Sequence, residues 1–380
     1  MFEYHKSKLG YLIVASVTAA TIVLGLLAIN KAAQIYLPDP SYVEDRGLMF
    51  FSQGKVFQNK SWGGFVYEPH AQITARMSFI VNPDIPTVVD EYQYKIKTNS
   101  AGLVQLTDIS SIKPSIIFLG DSLTEGQGAS PWFYELERRW PETSSYQIIN
   151  GGIIGTGFEA WERLYSSLLS TTKIEKIVII FISSDWTRPV WQMSNDDLEC
   201  IQSPSRCNGA NNFYGLFHDP SEAGAEIHRI AVDRVKYVAE EARRQSIVQA
   251  SAIYKRLLKP AYLLWSPFRG ANSKAQFESS KTAIEKMASA VGVKNILFFE
   301  VPTKGELSPP SDYFSKRGDY FSKRGDDFIR RSGFSYINGS KECPLTISDY
   351  HTHDGHPNGV GYRKLEYCIE RSVKKVFGPQ

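Results

Sequence analysis

Short apolar runs and longer amphipathic stretches alternate along most of the chain. The short runs are rich in β-branched and aromatic residues, which is typical of buried strands. The longer stretches repeat their apolar residues every three or four positions, as Trp161, Leu164 and Leu168 do, which is typical of helices packed by one face. This alternation predicts an α/β fold with a doubly wound parallel sheet covered on both faces. The predicted strands are residues 116–119, a run that starts at 148, 176–182, 295–301 and 334–337, and the predicted helices are 131–140, 158–169, 225–258, 274–291 and 360–376.

Near the start of the chain, residues 9–29 are uncharged and mostly apolar. A helix needs about 20 such residues to cross a bilayer core, so this run predicts an uncleaved, single-pass membrane anchor. Lys6 and Lys8 precede it, and acidic residues follow soon after it. That bias favours a cytoplasmic N-terminus with the bulk of the chain on the extracytoplasmic side. A cleaved signal peptide is the alternative, although its apolar run usually has only ~7 to 15 residues.

The sequence predicts three parts. These are a cytoplasmic stub with the anchor at residues 1–30, an N-terminal extension at 31–97, and a catalytic domain at 98–380. The extension has strand-like phrases between proline and glycine turns, which predicts a stalk or a small sheet packed on the catalytic domain. The segment at 312–318 is repeated at once at 319–325, which indicates a local duplication in a surface loop or helix.

Composition excludes one class of partner. With 43 basic and 40 acidic residues the formal net charge is +3, and no segment joins a dense basic stripe to stacking aromatic residues, so we expect no nucleic-acid partner. The four cysteines allow three pairings. Cys200 and Cys207 enclose a short polar loop, where we expect a disulfide, and Cys343 and Cys368 flank a loop with histidines. Two local disulfides fit an exported domain; unpaired thiols are the alternative, and the spacing does not fit a zinc site.

One strand leads directly into a serine. Residues 116–119 form the apolar run, Gly120 permits a tight exit, and Ser122 then lies at the carboxyl end of a central strand, where open α/β sheets bind ligands. Gly-Asp-Ser also occurs in ordinary turns and helix caps, so the tripeptide alone decides little. Near the C-terminus, Asp354 and His356 supply the carboxylate and the imidazole that acyl transfer from a serine requires.

A glycine-rich loop at residues 150–157 completes a set of motifs that resembles the SGNH hydrolases, the GDSL lipase and esterase superfamily, from residue 97 to the C-terminus. The resemblance implies a triad in which Ser122 is the nucleophile, His356 the base and Asp354 its partner. It also implies that the backbone N–H groups of Ser122 and Gly155 form the oxyanion hole. The fold it implies is a flavodoxin-like, three-layer sheet, here preceded by a transmembrane helix and a small β-rich extension.

The chain departs from the family pattern at Ser184. After the strand at 176–182 the family has Gly-x-Asn-Asp, whereas this chain has Ser184 in the place of the asparagine. Ser184 is a candidate oxyanion donor through its hydroxyl; a donor from the following insert, or no third donor, are the alternatives. Loss of one donor costs about a hundred- to a thousand-fold in rate, which leaves room for a specialised acyltransferase. The Asp354-x-His356 element is also one residue shorter than usual.

Four residues near these motifs are assigned to substrate binding, and neither a cofactor nor a metal ion is expected. One of the four, Trp186, lies in a polar insert at 183–223 and is placed either to stack on a sugar ring or to pin the insert to the surface. The four are Asp121, Asn150, Asp185 and Trp186.

Two functions of different class follow from these motifs. The first is a membrane-anchored serine esterase or O-acyltransferase that acts on ester-linked acyl groups, acetyl in the first place, of an extracytoplasmic glycan or lipid. The second is a catalytically weak family member that binds a glycan or an assembly partner. Because Ser122, His356 and Asp354 are all present, the first function is favoured.

Overall fold

The computed structural model describes residues 2–36, 47–52, 54–82, 87–141, 143–203, 206–207, 215–217, 227–237, 240, 271–307 and 319–378. The chain divides into two compact units, Met1–Arg46 with Lys236–Arg269 and Gly47–Val235 with Gly270–Gln380. The domain boundaries predicted at residues 30 and 97 stay predictions.

In the first unit, the described residues 2–36 form a long helix, α1 (Phe2–Tyr36). Within it, Val14–Ala32 is long and apolar enough to cross a membrane. Its apolar side chains, such as Leu24 and Leu27, are exposed. The apolar run predicted at 9–29 is therefore confirmed as part of a helix of membrane-spanning length. A signal sequence near an N-terminus has the same length and composition, so the topology of the chain stays a prediction.

The described elements within residues 47–97 are all strands, and from residue 115 onward strands alternate with helices as the sequence pattern predicts. The strands are β1 (Gly47–Ser52), β2 (Phe57–Asn59), β3 (Phe65–Tyr67), β4 (Gln72–Asn82), β5 (Thr87–Lys97), β6 (Ser115–Gly120), β7 (Gln147–Gly152), β8 (Ile174–Phe181), β9 (Leu216–Phe217), β10 (Ile296–Glu300) and β11 (Ser335–Asn338). The helices are α2 (Ser122–Glu125), α3 (Trp132–Arg139), α4 (Phe158–Leu168), α5 (Asn195–Gln202), α6 (residues 227–237), α7 (Ala271–Val291), α8 (Lys304–Leu307), α9 (Asp319–Arg331), α10 (Gly339–Glu342) and α11 (Gly359–Phe377).

Five strands form a wholly parallel sheet in the spatial order β7-β6-β8-β10-β11. Numbered along the chain, this is the order 2-1-3-4-5 of flavodoxin-like folds. The order reverses between β6 and β8, which pair directly although β7 lies between them in sequence. Because the loops that leave β6 and β8 diverge there, this is the position at which such sheets bind ligands.

Alternate residues of β6 face opposite helical layers. Ile117 and Leu119 belong to the apolar core that α4 and α7 cover. Ile116 and Phe118 belong to the core that α3 and α11 cover. All four side chains are completely buried. The three-layer, doubly wound fold predicted from the sequence is therefore confirmed.

Residues 47–97 supply three strands of a second sheet, whose order is β5-β4-β1-β9. β1, β4 and β5 are antiparallel neighbours, and β9, which lies in the insert after β8, pairs in parallel with β1. On β5, Tyr92, Tyr94 and Ile96 are buried while the residues between them are exposed. These three side chains share an apolar cluster with Leu119 of β6. The extension is thus β-rich, as predicted, and packs on the parallel sheet.

The insert after β8 is more regular than predicted. It contains a 3₁₀ turn at Ser183–Thr187 and then α5, whose first turn is capped by Ser194. Of the helix predicted at 225–258, only 227–237 and 240 are described. The second copy of the duplicated segment lies in α9, and the first copy lies outside the described residues.

Both cysteine pairs form disulfides. Cys200 is linked to Cys207 and Cys343 to Cys368, with Cα–Cα distances of 4.4 and 5.7 Å. The first bond closes the end of α5, as predicted, and the second ties the residue after α10 to α11. Each such bond typically stabilises a fold by about 2 to 4 kcal/mol.

Candidate active site

The turn after β6 presents Ser122 at the carboxyl edge of the sheet. Ser122 is the first residue of α2, and Asp121 caps this helix by accepting the Leu123 N–H at 2.9 Å. A Cβ on Gly120 would lie 2.5 Å from the carbonyl oxygen of Ile180, so only glycine allows β6 to end this close to β8. The serine hydroxyl therefore lies at the point where the strand order reverses.

The loop before α11 brings a histidine and a carboxylate to this serine. Ser122 Oγ lies 2.8 Å from His356 Nε2, and His356 Nδ1 lies 2.8 Å from Asp354 Oδ2. With its proton on Nδ1, the ring donates to Asp354 and accepts the serine O–H through Nε2. Asn358 caps α11 by accepting the Val360 N–H at 3.0 Å, which anchors the loop. The three side chains form one continuous chain of hydrogen bonds.

A tyrosine from the N-terminal sheet holds the carboxylate. The Tyr92 O–H donates to Asp354 Oδ2, and the Gly355 N–H donates to Oδ1 at 2.7 Å. Gln127 Nε2 in turn donates to the Tyr92 oxygen at 2.8 Å, and the Tyr362 O–H donates to the Gln127 carbonyl at 2.7 Å. The sequence reasoning missed Tyr92, because the alternating pattern of β5 indicates only that this residue is buried.

The charges of Asp354 and His356 shift each other's pKa values in opposite directions. Burial alone would raise the pKa of Asp354, but the charge of His356 and the hydrogen bonds to the carboxylate outweigh it and lower the pKa to about 2. Burial alone would lower the pKa of His356, but Asp354 outweighs it and raises this pKa above its ordinary value of 6.5. The carboxylate thus stays charged at neutral pH and makes the imidazole a stronger base.

Glu125 at the end of α2 is a second buried acid near the histidine. It is completely buried, and its Oε1 accepts the Tyr67 O–H at 2.8 Å and the Tyr94 O–H at 3.3 Å. Burial raises the pKa of Glu125 to about 7, against the opposing effects of both tyrosines and the charge of His356. Near neutral pH this carboxyl is therefore partly ionised, and its negative charge then acts on the His356 imidazole.

Two backbone N–H groups lie where the resemblance places the oxyanion hole. Among the described residues, neither the Ser122 N–H nor the Gly155 N–H has a hydrogen-bond partner. Gly155 has a φ of +72°, which glycine adopts without strain, and its carbonyl accepts from Trp191 Nε1 at 3.3 Å. Free N–H groups of this kind can stabilise an oxyanion. Their predicted role stays a prediction.

Ser184 lies in the 3₁₀ turn after β8 and contacts an arginine that the sequence reasoning did not single out. Arg188 Nη2 donates to Ser184 Oγ at 3.3 Å. Arg188 Nη1 donates to Asp121 Oδ2 at 2.7 Å and lies 2.8 Å from Asp185 Oδ1, an ion pair without hydrogen-bond geometry. Burial would lower the pKa of Arg188, but Asp185 and Asp121 raise it. The one feature of the sequence that could have pointed to Arg188 is that it is a positively charged residue in an insert that follows a central strand.

The three polar residues assigned to substrate binding hydrogen-bond to the backbone of the site. Asp121, Asn150 and Asp185 are each exposed by 1 % or less. Asn150 Nδ2 donates to the Val104 carbonyl at 2.8 Å, and its Oδ1 accepts the Gly152 N–H at 2.9 Å. Asp121 caps α2, as described above. Their burial does not support the assignment to substrate binding, which stays a prediction.

Trp186 does not offer a face to a sugar. Its side chain is completely buried, with its ring centroid 4.5 Å from that of Phe158 and 5.2 Å from that of Phe277. This burial does not support the sugar-stacking assignment, which stays a prediction. The ring pins the start of the insert to the core beneath α4 and α7, which was the alternative interpretation.

A cleft of about 500 Å³ borders Gly155 and Arg188. The N-terminal sheet forms one wall of it, through Met49 on β1 and its cross-strand neighbour Met77 on β4. A Cβ on Gly47 would lie 2.6 Å from the Met77 side chain, so glycine leaves room for this methionine. The cleft is mostly apolar, with one cationic side chain. Its remaining lining residues are Gln127, Ile154, Pro189 and Trp191.

Two further histidines near His356 support its loop. His351 Nε2 lies 2.7 Å from the Gly128 carbonyl oxygen, and its ring packs on Tyr92 at 4.5 Å between centroids. The His353 N–H donates to Glu91 at 2.9 Å. Within the described ranges, no three His, Cys, Asp or Glu side chains are grouped to hold a metal ion.

Comparisons with known proteins find only distant similarity to solved structures. No protein-family model matches this chain, and no curated protein matches it. Similar solved structures include a lipase/acylhydrolase from Enterococcus faecalis, at 14 % identity over 69 % of this chain and 96 % of that chain, with a TM-score of 0.35. They also include a GDSL-like lipase from Bacteroides thetaiotaomicron, at 12 % identity over 71 % and 92 %, with a TM-score of 0.35. A third is the psychrotrophic esterase EstA from Pseudoalteromonas sp., at 14 % identity over 70 % and 99 %, with a TM-score of 0.36.

Proposed function

We propose that this chain is a membrane-anchored serine esterase or O-acyltransferase that acts on ester-linked acyl groups of an extracytoplasmic glycan or lipid. The observation that supports it most is the hydrogen-bonded chain from Ser122 through His356 to Asp354, with 2.8 Å at each step. A serine, a neutral imidazole and a carboxylate in this order are what nucleophilic acyl transfer requires.

In the proposed reaction, Ser122 Oγ attacks the carbonyl carbon of the ester while its proton passes to His356 Nε2. Asp354 stabilises the imidazolium through Nδ1, and the backbone N–H groups of Ser122 and Gly155 stabilise the oxyanion. When the tetrahedral intermediate collapses, the ester C–O bond breaks and His356 protonates the leaving alcohol. The product of this half-reaction is an acyl ester of Ser122.

The second half-reaction decides between hydrolysis and transfer. His356 takes a proton from water or from an acceptor hydroxyl, whose oxygen attacks the acyl carbon. The bond from this carbon to Ser122 Oγ then breaks, and His356 returns the proton to Oγ. The apolar cleft beside Gly155 supports binding of the acyl part of the substrate, since apolar walls with few polar groups suit such a chain. Its volume of about 500 Å³ exceeds what an acetyl group fills, so acyl groups longer than acetyl also fit.

The test uses the full chain in detergent micelles. We expect an alkyl fluorophosphonate probe to label one residue, Ser122, as located by mass spectrometry, and p-nitrophenyl acetate and butyrate to be hydrolysed. The matched control is Ser170→Ala, which removes an exposed serine beyond the end of α4 and leaves the site intact. Added mono- and disaccharides then separate the two reactions, because a transferase yields acylated sugar whereas a hydrolase yields free acid.

The absence of both labelling and turnover in the wild-type chain would contradict the proposal and favour the glycan- or partner-binding alternative. Equal labelling of the wild type and Ser122→Ala would show that the probe reacts elsewhere.

A further inference from the structure

At the position where the family pattern has an asparagine, the side chains of Ser184 and Arg188 are in contact. Ser184 is exposed in the turn after β8, and its Oγ accepts a hydrogen bond from Arg188 Nη2 at 3.3 Å. Serine is shorter than asparagine, so its hydroxyl reaches less far, whereas the guanidinium of Arg188 carries N–H groups on a long side chain. The donor that the family pattern lacks therefore has a candidate replacement four residues further along the insert.

Arg188 is fixed at both flanks of the proposed oxyanion hole. Its Nη1 donates to Asp121, the residue directly before Ser122, at 2.7 Å, and to the carbonyl of Thr156, the residue directly after Gly155, at 3.3 Å. The guanidinium thus links the two segments that carry the free backbone N–H groups. Because the guanidinium is hydrogen-bonded to both segments, it keeps a constant position relative to the backbone N–H groups of Ser122 and Gly155.

The guanidinium retains unused donors. Of its five N–H groups, the two on Nη1 and one on Nη2 face the partners described above. The Nε–H and the second Nη2–H have no partner among the described residues. The side chain as a whole is 27 % exposed, and Arg188 is one of the residues that line the cleft beside Gly155. Donors of this kind are available to a ligand atom in the cleft.

The charge of Arg188 is already compensated. Asp121 is exposed by only 1 % and pairs directly with Nη1, and Asp185 lies 2.8 Å from the same nitrogen. A paired guanidinium attracts an anionic substrate weakly, but it still offers directed N–H groups, as an amide does. This balance favours a contact with the charge that develops on a carbonyl oxygen over a binding site for a charged substrate group.

We propose that Arg188 supplies the third oxyanion donor and takes the role that the SGNH resemblance gives to an asparagine, with Ser184 helping to hold the guanidinium. The proposal rests on the acyl-transfer function proposed above. Arg188 is thereby a catalytic residue that contacts the reacting carbonyl, and the site remains fully equipped despite the substitution at position 184.

The decisive variant is Arg188→Lys. Lysine keeps the positive charge for Asp121 and Asp185 but loses the planar set of N–H groups, so a purely structural ion pair would survive the change. For an oxyanion donor we expect kcat to fall about a hundred-fold with KM little changed. We also expect a boronic acid, which mimics the tetrahedral intermediate, to bind more weakly by the same factor as kcat/KM falls.

Restoring the family's asparagine supplies the second measurement. In the Arg188→Lys background, Ser184→Asn should recover at least tenfold in kcat, because the asparagine amide supplies the N–H donor that the lysine no longer places. The proposal is overturned if Arg188→Lys keeps kcat within twofold of the wild type, or if Ser184→Asn restores nothing to it. A wild-type chain without esterase activity or Ser122 labelling would instead contradict the proposed function itself.

Discussion

On the His356 side of Ser122, the polar groups are held by side chains from distant parts of the chain. Asp354 accepts from Tyr92 of the N-terminal sheet, and Tyr92 accepts from Gln127. On the Gly155 side, the candidate donors are two backbone N–H groups without a partner among the described residues and Arg188 of the insert. The first side departs from the SGNH pattern only in the spacing of Asp354 and His356, whereas the second departs from it in the residue type at position 184.

This contrast has a chemical reason. A proton relay needs one base with a suitable pKa and one partner at its other nitrogen, so few residue types can serve. An oxyanion needs only N–H or O–H groups at the correct distance, and backbone, amide and guanidinium groups all qualify. The relay therefore tolerates little change in sequence, whereas the oxyanion side can draw its donors from a different segment.

The largest effect is expected from variants that remove the serine or the histidine of the proton relay. Ser122→Ala and His356→Ala should each lower kcat on p-nitrophenyl esters on the order of 10⁵- to 10⁶-fold, and the double variant should be no worse than either, because the two residues act as one unit. Steady-state kinetics measures the effect, and circular dichroism checks that the variants fold. Additive losses in the double variant would show that the two side chains act separately.

The next effect tests the carboxylate. Asp354→Asn should lower kcat by about 10⁴-fold, because an amide no longer fixes the Nδ1–H tautomer or stabilises the imidazolium. The loss should also shift the acid limb of the kcat/KM profile to lower pH, since Asp354 raises the pKa of His356. An unchanged pH profile with a large loss of rate would point to a distorted loop instead.

Glu125→Gln tests how the buried acid couples to the relay. The pKa of Glu125 is about 7 in the folded chain against an ordinary 4.5, so its contribution to stability is fully present below pH 4.5 and is lost as the pH rises through 7. Glutamine stays neutral at every pH. The free energy of unfolding of the variant, compared with that of the wild type at the same pH, should therefore be about 3 kcal/mol higher above pH 8 than it is at pH 4.

Urea unfolding of the detergent-solubilised chain between pH 4 and 9 measures this difference. Since Glu125 also raises the pKa of His356, the acid limb of kcat/KM should move to lower pH in the variant. A stability difference that is constant with pH would contradict the raised pKa.

On the Gly155 side, Met77→Trp should narrow the cleft. We expect kcat/KM for a long-chain p-nitrophenyl ester to fall about tenfold while that for the acetate changes little, because hydrophobic pockets discriminate by roughly 1 to 3 kcal/mol per methylene. Met77→Leu, which nearly conserves volume, is the control. An equal loss for both esters would mean that the cleft does not hold the acyl chain.

The smallest expected effect concerns the support of the relay by the N-terminal sheet. Tyr92→Phe removes the hydrogen bond to Asp354 but keeps the ring, so kcat should fall only about three- to tenfold, the scale of one hydrogen bond to a charged group that keeps its other partners. A loss as large as that of Asp354→Asn would show that the tyrosine, and not only the Gly355 N–H, determines where the carboxylate lies.

The sequence by itself determined the elements and the order in which they occur. Alternating periodicity predicted the parallel sheet, the apolar run at 9–29 predicted a helix of membrane-spanning length, and the spacing of Cys200 and Cys207 predicted their disulfide. Ser122 and His356 were found because each lies in a short local motif. Signals of this kind depend on neighbours within a few residues, so one chain is enough to see them.

Tertiary structure alone decided which elements meet. Periodicity showed that one face of β5 is buried, but not that Tyr92 would lie against Asp354, 262 residues away. The sequence left open whether Trp186 stacks on a sugar or pins the insert, and the structure buries its ring against Phe277 of α7. Arg188 lies in no sequence motif. Its proposed role depends on Asp121 and Thr156, which the reversal of strand order brings together. Contacts between distant segments come from packing and topology, which local patterns do not encode.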